Sequence, residues 1–202
     1  YLSTIKIKSK NEDRIKQFYT HFYHSLIHPN IVSDVNGEYM GADFKVHKTK
    51  ENREQYSSFS VWDTYRTQGQ LIAMLFPKKS SDMMQSLVDF AEQAGGYGRW
   101  ILANIETGIM QGDPTPILIS NSYAFGGDDF DLETAYRYMK KGALIPRLYS
   151  QKQEVRPYLE EYINNGHTFA SMSLEYASAD FAIAQFALNA VKNEEDYKYF
   201  KN

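Results

Sequence analysis

The sequence predicts an all-α protein whose helical hairpins form part of an α/α toroid. Apolar residues recur at intervals of three and four along several segments of about 10–18 residues, as they do on one face of a helix. Short and long connections alternate between these segments, so we expect the longer ones to gather on one side. In a toroid, such loops line a central pocket. The chain has no periodic self-similarity, which argues against a solenoid of structural repeats.

The composition limits the classes of function. Of the 202 residues, 43% are apolar and 23% are charged, as in a globular domain with a sizeable core. A net charge of −3 without a basic block predicts no nucleic-acid partner, and no apolar run is long enough to span a membrane. The absence of cysteine excludes disulfides and thiolate metal sites. The 16 tyrosines fit either a sugar-binding surface or a helical core filled with tyrosine.

The first third of the chain predicts one helix between two less regular segments. Residues 2–8 alternate well enough for a short strand or an extended lead-in. A helix begins at Asn11 or Glu12 and ends before Pro29. Residues 30–58 form a long irregular excursion, of the kind that is often functional or part of a pocket rim.

The middle of the chain predicts two helices. One begins at about residue 59 and runs toward Phe76. Ser80 or Ser81 caps the next helix, and the Gly95–Gly96 pair ends it.

The last part of the chain predicts four more helices. Asp113 is the expected N-cap of the first, with Pro114 at its first helical position, and Asp131 caps the second. Residues 157–164 form a short helix, and Ser173 begins a long one. The inward-facing residues predicted for this long helix are Ala177, Phe181, Ala184, Leu188 and Val191.

One carboxylate, Glu106, lies in the connection between residues 99 and 113, with apolar and aromatic residues before it and two glycines after it. An apolar setting raises the pKa of a carboxyl group because it disfavours the charged form. A carboxylic acid that is still protonated near neutral pH can give its proton to a leaving group. A glutamate in a surface loop gives the same pattern, so this stretch alone leaves both interpretations open.

A tryptophan next to an aspartate suggests a sugar-binding surface. Trp62 offers a face for stacking, and the carboxylate of Asp63 can accept hydrogen bonds from sugar hydroxyls. Arg66 follows Asp63 by three positions, so a local ion pair within a helix is the alternative interpretation.

The sequence predicts no metal site of its own. Two polar groups have the spacing of metal ligands: His21, His24 and His28 at helical intervals, and Asp34, Asn36 and Glu38 as in an EF-hand loop. No carboxylate completes the first group, and the rest of the EF-hand loop is missing from the second.

Four segments together resemble the catalytic domain of the glycoside hydrolase family 92 exo-acting α-mannosidases. The most specific are Phe-Ser-Val-Trp-Asp-Thr-Tyr-Arg-Thr at 59–67 and Leu-Ala-Asn-Ile-Glu-Thr-Gly-Ile-Met-Gln-Gly-Asp at 102–113. The others are residues 18–30 continued by 34–43, and Ser-Leu-Glu-Tyr-Ala-Ser-Ala-Asp at 173–180. They occur in the order of the family and span nearly the whole chain.

This resemblance implies a calcium-dependent, inverting hydrolase that removes α-linked mannose from the non-reducing ends of oligosaccharides or N-glycans. The domain would be an (α/α)6 barrel, and the protein would be secreted, periplasmic or at the cell surface. By its place in the motif, Glu106 would be the general acid. Trp62 and Asp63 would form part of the pocket for the terminal mannose, with Arg66 and Asn104 in the pocket or just behind it.

The departures from the family pattern shape the expectation for this chain. Ser178 and Ala179 stand where members usually carry an aromatic residue and an aspartate, so we assign that segment to helix packing. The general base of the family lies in a later Gly-Asn-Asp-Asp motif, near the main calcium ligands, and neither occurs before Asn202. Residues 1–202 are therefore expected to be the N-terminal portion of the helical catalytic domain, without the N-terminal β-sandwich of the family and the C-terminal part of the barrel.

Two consequences and two alternatives follow from this interpretation. We expect the isolated chain to be nearly inactive, and to self-associate through apolar surface that a closed toroid would cover. The first alternative is another α/α-toroid glycosidase, similar to a trehalase or a glucosidase, in which Trp-Asp-Thr segments also occur. The second is a glycan-binding module without catalytic activity.

Overall fold

The computed structural model describes residues 1–50 and 52–201, and about half of these are helical, as predicted. The helices are α1 (Glu12–His24), α2 (Val61–Thr64), α3 (Gln68–Leu75), α4 (Pro77–Ala94), α5 (Thr115–Ala124), α6 (Leu132–Leu144), α7 (Leu159–Asn165), α8 (Ala170–Asn189) and α9 (Glu194–Lys201). The strands are β1 (Asn30–Ile31), β2 (Glu38–Met40), β3 (Val46–Lys48), β4 (Tyr56–Ser57), β5 (Ile101–Leu102), β6 (Ile105–Glu106), β7 (Tyr149–Ser150) and β8 (Gln153–Glu154).

The strands form antiparallel pairs that lie in the connections between helices. β1 pairs with β4 and β2 with β3, so the excursion over residues 30–58 is more ordered than its sequence predicts. β5–β6 and β7–β8 are tight hairpins of two residues a side. A two-stranded ladder is marginal in water, so these hairpins depend on contacts with the helices and with each other.

The core lies where α4, α5, α6 and α8 pack together. Phe186 of α8 is at its centre, with the rings of Tyr123, Phe130 and Tyr136 at centroid distances of 5.6–6.4 Å. Other tyrosines are also buried, namely Tyr39, Tyr56, Tyr97, Tyr138 and Tyr176. Much of the tyrosine content therefore fills the core, which supports the second of the two interpretations given above for these residues.

Several helix ends are set by side-chain capping or by a glycine in the left-handed conformation. The side chains of Asn11 and Asp131 accept hydrogen bonds from the third residue of α1 and of α6, which is N-cap geometry. Gly95 ends α4 in the left-handed conformation, at a φ of 94°. The caps predicted at Ser80 and Ser81 are wrong, because Pro77 already begins the helix and both serines are buried in its second turn.

The cap predicted at Asp113 is also wrong. Its carboxylate lies 2.8 Å from Nε of Arg156, whose Nη1 lies 2.6 Å from Asp180 on α8. Arg156 is completely buried, and a buried guanidinium needs such partners because it has lost its hydration. This ion-pair cluster joins the start of α5, the segment before α7, and α8.

Other predicted elements differ in extent. Residues 2–8 contain a single 3-10 turn, Leu2–Thr4, followed by extended chain without a ladder partner among the described residues. The helix predicted from about residue 59 toward Phe76 is two helices, α2 and α3, separated by a break at residues 65–67. The last helix, α9, was not predicted.

The orientation predicted for the long C-terminal helix is wrong in part. Helix α8 begins at Ala170, ahead of the predicted Ser173, and Ala177 and Phe181 are exposed, although Ala184 is buried as predicted. The helix carries apolar residues on both sides, so their spacing did not decide which side is covered.

Among the described residues, no helix combines the length and the apolar character that crossing a membrane requires.

Candidate functional site

The β5–β6 hairpin carries Glu106 at its end. Ile101 pairs with Glu106 and Leu102 with Ile105, and Ala103 and Asn104 form the tip. Both tip residues have positive φ, 47° and 66°, as a type I′ turn requires. Alanine adopts this conformation at a cost, so the tip is held by contacts beyond the hairpin itself.

Backbone donors surround the carboxyl group of Glu106. Its Oε2 accepts hydrogen bonds from the backbone N–H of Arg99 at 2.8 Å and of Trp100 at 3.3 Å. Its Oε1 accepts one from the backbone N–H of Gly108 at 2.9 Å. Nε of Arg99 lies 3.8 Å from Oε1. These contacts fix the orientation of a side chain that is only 1% exposed.

Burial raises the pKa of Glu106 above its usual value, since water no longer solvates the charged form. The three backbone donors and the Arg99 guanidinium stabilise the charged form and limit the rise. The net effect is a carboxyl group that keeps its proton to a higher pH than an exposed glutamate. This agrees with the apolar setting noted in the sequence.

Two glycines make room for this arrangement. A methyl group on Gly98 would collide with Oε2 of Glu106, so the carboxyl group packs directly against the backbone of this glycine. Gly108 has a φ of +70°, and a Cβ there would lie 2.5 Å from Oε1 of Gln153. Both positions therefore need glycine for this close packing.

Asn104 anchors the tip of the hairpin. Its backbone N–H donates to Oγ of Ser57 at 3.0 Å, and its Nδ2 donates to the carbonyl of Met40 at 2.5 Å. The predicted site residue thus joins the hairpin to β4 and β2. One of its two amide protons is used in these contacts.

The second predicted group, on and after α2, forms a layered cluster. The guanidinium carbon of Arg66 lies 4.6 Å from the ring centre of Trp62 and 4.8 Å from that of Tyr65. Arg66 also faces Glu175 of α8, at 3.9 Å. Asp63 is exposed and accepts a hydrogen bond from the hydroxyl of Ser60. In the described structure the ion pair of Arg66 is with Glu175 rather than Asp63, so the local pair considered as an alternative is not formed.

Backbone contacts join this cluster to the hairpin. The N–H of Ile101 donates to the carbonyl of Phe59 at 2.9 Å, three residues before Trp62. Gly112 packs so closely on Glu175 that a Cβ would lie 2.6 Å from the Cβ of that glutamate. These two contacts bring together three parts of the chain: the segment after β4, the β5–β6 hairpin with its following loop, and α8.

Three further residues of this region were not predicted as site residues. Arg99 and Glu175 lie inside stretches that the sequence already singled out, so their position in the motif was the available signal. Gln151, whose Oε1 accepts a hydrogen bond from the backbone N–H of Glu106 at 2.9 Å, comes from the β7–β8 hairpin, and no local pattern marks it.

The described residues offer no candidate cage for a cation. Within residues 1–50 and 52–201, no three histidine, aspartate or glutamate side chains come together as a metal site.

We expect Glu106 to titrate above the value of about 4.3 for an unperturbed glutamate, and Arg99→Met to raise its pKa further by removing a positive charge. NMR titration of ¹³C-labelled glutamate carboxyls measures both values, with the resonance assigned through Glu106→Gln. Since the folded state holds this proton more tightly, Glu106 lowers the free energy of unfolding as the pH rises from about 4.3 through the folded-state pKa.

The control for this titration is Arg147→Met, which removes an exposed guanidinium paired with Glu160. It should leave the pKa of Glu106 where it is. A wild-type midpoint at or below about 4.3, or a downward shift in Arg99→Met, would contradict the description of the carboxyl group.

A second prediction concerns Gly98. Gly98→Ala should push the carboxyl group away from the N–H groups of Arg99 and Trp100, and should lower the free energy of unfolding by about 1–3 kcal/mol. Urea unfolding measures this change. The same substitution in a Glu106→Ala background should cost less, with the remainder due to contact with Ile101. Equal costs in the two backgrounds would show that the carboxyl group does not pack on this glycine.

Comparison with known proteins gives the family context. The model of the glycosyl hydrolase family 92 catalytic domain matches residues 1–202. A solved family GH92 α-mannosidase from Bacteroides thetaiotaomicron is 27% identical, with a TM-score of 0.85 over 99% of this chain and 27% of that one. Its complex with mannoimidazole matches with the same identity and TM-score, over 99% of this chain and 26% of that chain. No curated protein matches the chain.

A third solved structure, a family GH92 inverting mannosidase from the same species, is 23% identical, with a TM-score of 0.85 over 100% of this chain and 28% of that one. This likeness adds support for the fold alone. The predicted fold class, part of an α/α toroid, is confirmed, since family 92 structures have that architecture. The chain spans about a quarter of the length of the solved relatives it matches. Because the family model matches all 202 residues of this chain, the chain belongs to glycosyl hydrolase family 92.

Proposed function

We propose that this chain is part of the catalytic domain of an exo-α-mannosidase in which Glu106 is the general acid. The observation that carries the proposal is the buried carboxyl group of Glu106, whose pKa is raised by burial and whose orientation is fixed by three backbone donors. Family membership and the α-mannosidase among the structural relatives support the same assignment.

The chemistry follows from this group. Cleavage of a glycosidic bond needs a proton on the leaving oxygen, and Glu106 holds that proton to a higher pH than an exposed glutamate. In an inverting enzyme, a base on the opposite face activates water, about 6.5–9.5 Å from the acid, and the product has the opposite anomeric configuration. We propose this stereochemistry, with the base supplied from outside the 202 residues.

The remaining predicted residues have roles in binding under this proposal. Trp62 and Arg66 form a stacked pair beside the hairpin, and Asp63 is exposed with a carboxylate able to accept hydroxyl donors. Asn104 keeps one amide proton for a ligand while holding the tip of the hairpin. The ligand would be the terminal mannose of an oligosaccharide or N-glycan, in keeping with the mannoimidazole complex of one relative.

Calcium dependence, location and domain context are part of the same proposal. The resemblance implies a calcium ion, and its ligands would come from outside the described residues, which offer none of the needed clusters. When bound, such an ion would hold ring hydroxyls of the sugar. We propose that the protein acts outside the cytoplasm, because the family usually acts on glycans found there. We also place these 202 residues in the N-terminal portion of the helical catalytic domain, beside a β-sandwich.

The test is mannose release from α-linked mannobiose by the longest polypeptide that contains this chain, with calcium and with a chelator. We expect calcium-dependent release of inverted product, and a loss of about 10²–10⁴-fold in kcat for Glu106→Gln, because the proton donor is removed. NMR of the released sugar reads its anomeric configuration. The 202-residue chain assayed alone should show little or no turnover.

The matched control is Glu133→Gln, which changes an exposed carboxylate on α6 and should leave kcat unchanged. Release that Glu106→Gln does not slow would mean that another residue is the acid. Hydrolysis of α-glucosides but not of α-mannosides would select a different toroid glycosidase. Binding without turnover would leave a glycan-binding module.

The exposed side of α8 supports the expected self-association of the isolated chain. Leu174 is 71% exposed and Phe181 is 55% exposed, one above the other two turns apart, with Ala177 between them. The opposite side of α8 is already buried in the core. We therefore propose that a second copy of the chain covers this apolar stripe.

Sedimentation velocity of the 202-residue chain at high concentration tests this proposal. Wild type should associate, and the double variant Leu174→Ser with Phe181→Ser should sediment as a monomer. Val46→Ser removes an equally exposed apolar side chain from β3 and should leave association unchanged. A wild-type chain that is monomeric throughout would overturn the proposal.

A further inference from the structure

The hairpin that carries Glu106 cannot hold its own geometry. It has two residue pairs and a tip whose alanine is in the left-handed conformation. Such a ladder is marginal in water, and a strained tip persists only where its surroundings enforce it. A rotation of this hairpin would move the carboxyl group as a whole.

One side chain holds both ends of the hairpin. Oε1 of Gln151 accepts the backbone N–H of Glu106 at 2.9 Å. Its Nε2 donates to the carbonyl of Asn104 at 3.0 Å and to the carbonyl of Ala42 at 2.9 Å. A single side-chain amide therefore joins the backbone of Glu106, the tip of its hairpin, and the turn between β2 and β3.

Gln151 is itself anchored to the helical scaffold. It lies at the tip of the β7–β8 hairpin with a φ of 52°, and its backbone N–H donates to the carbonyl of Ala94 at the end of α4, at 2.7 Å. The β7–β8 hairpin also makes two contacts with the residues that flank the β5–β6 hairpin. Arg99 donates to the carbonyl of Glu154 at 2.6 Å, and Gln153 packs on Gly108.

We propose that Gln151 is a positioning residue for the general acid, an inference that rests on the proposed function of Glu106. The hydrogen bonds of Gln151 to this hairpin reach its backbone at Glu106 and Asn104. It acts by fixing the position of the Glu106 backbone relative to α4, and thereby the direction in which the carboxyl group presents its proton. The role depends on the neutral amide, since two carbonyls and one N–H must be satisfied together.

The kinetic test uses Gln151→Met, which keeps the length of the side chain and removes all three hydrogen bonds. In the longest active polypeptide, we expect kcat on α-mannobiose to fall about 10–100-fold with KM nearly unchanged. On 2,4-dinitrophenyl α-mannoside, whose leaving group needs little protonation, the fall should be no more than about threefold. This split between substrates indicates a misplaced acid.

Three further variants complete the kinetic test. Gln151→Glu keeps the acceptor for Glu106 but turns an oxygen toward the carbonyls of Asn104 and Ala42, and it should show the same split. Lys152→Ala changes the next residue of the same turn, which is exposed, and should leave both rates unchanged. Gln185→Met, a glutamine-to-methionine change on α8, should do so as well. Equal losses on both substrates, or no loss, in Gln151→Met and Gln151→Glu would overturn the positioning role.

A second readout does not depend on activity. Amide hydrogen exchange in the 202-residue chain should lose protection at Glu106 and the hairpin tip in Gln151→Met, while α4 and α8 keep theirs. Unchanged protection of the hairpin would overturn the inference even if the enzyme is an α-mannosidase. Lost protection of the hairpin, together with no mannosidase activity in the longest polypeptide, would uphold the anchoring of the hairpin and refute the proposed function instead.

Discussion

A carboxylate removed from water needs hydrogen-bond donors, and the structure around Glu106 is arranged to provide them. Its two oxygens accept hydrogen bonds from the backbone N–H groups of Arg99, Trp100 and Gly108. For these groups to meet, the chain must fold back on itself within ten residues. That fold is the β5–β6 hairpin. The close packing on Gly98 and the contacts of the β7–β8 hairpin follow from the same requirement. Burial then raises the pKa, because these donors only partly replace the lost water.

The same constraint organises the charges near the site. Arg156 is fully buried and is held between Asp113 and Asp180, so the loop that leaves the hairpin is joined to α8. Arg66, in the break after α2, lies over Trp62 and pairs with Glu175 of α8. Each of these two guanidiniums therefore joins a loop to a helix. For the buried Arg156, removing one carboxylate partner would leave its charge incompletely paired, which is costlier than the absence of the whole cluster.

In this domain the helices form the rigid core, and the short hairpins carry the polar groups of the site. α4, α5, α6 and α8 share one core, and their packing sets the positions from which the hairpins extend. The hairpins carry the polar groups, as loops on a rigid scaffold commonly do. Gln151 shows how the two layers are coupled, because its backbone is bonded to α4 and its side chain to the residue proposed to do the chemistry.

The sequence by itself determined the helical architecture, several caps and the segments that carry the family resemblance, because periodicity, Asp131, Gly95 and contiguous motifs are local signals. It also marked Glu106 as a carboxyl group in an apolar setting. Only the tertiary structure decided which side of α8 is covered, since that helix is apolar on both sides. Only the tertiary structure made Asp113 the partner of a buried arginine instead of a cap, and Gln151 the anchor of the acid hairpin. These contacts join residues more than 40 positions apart, and their free energy depends on burial that no local pattern encodes.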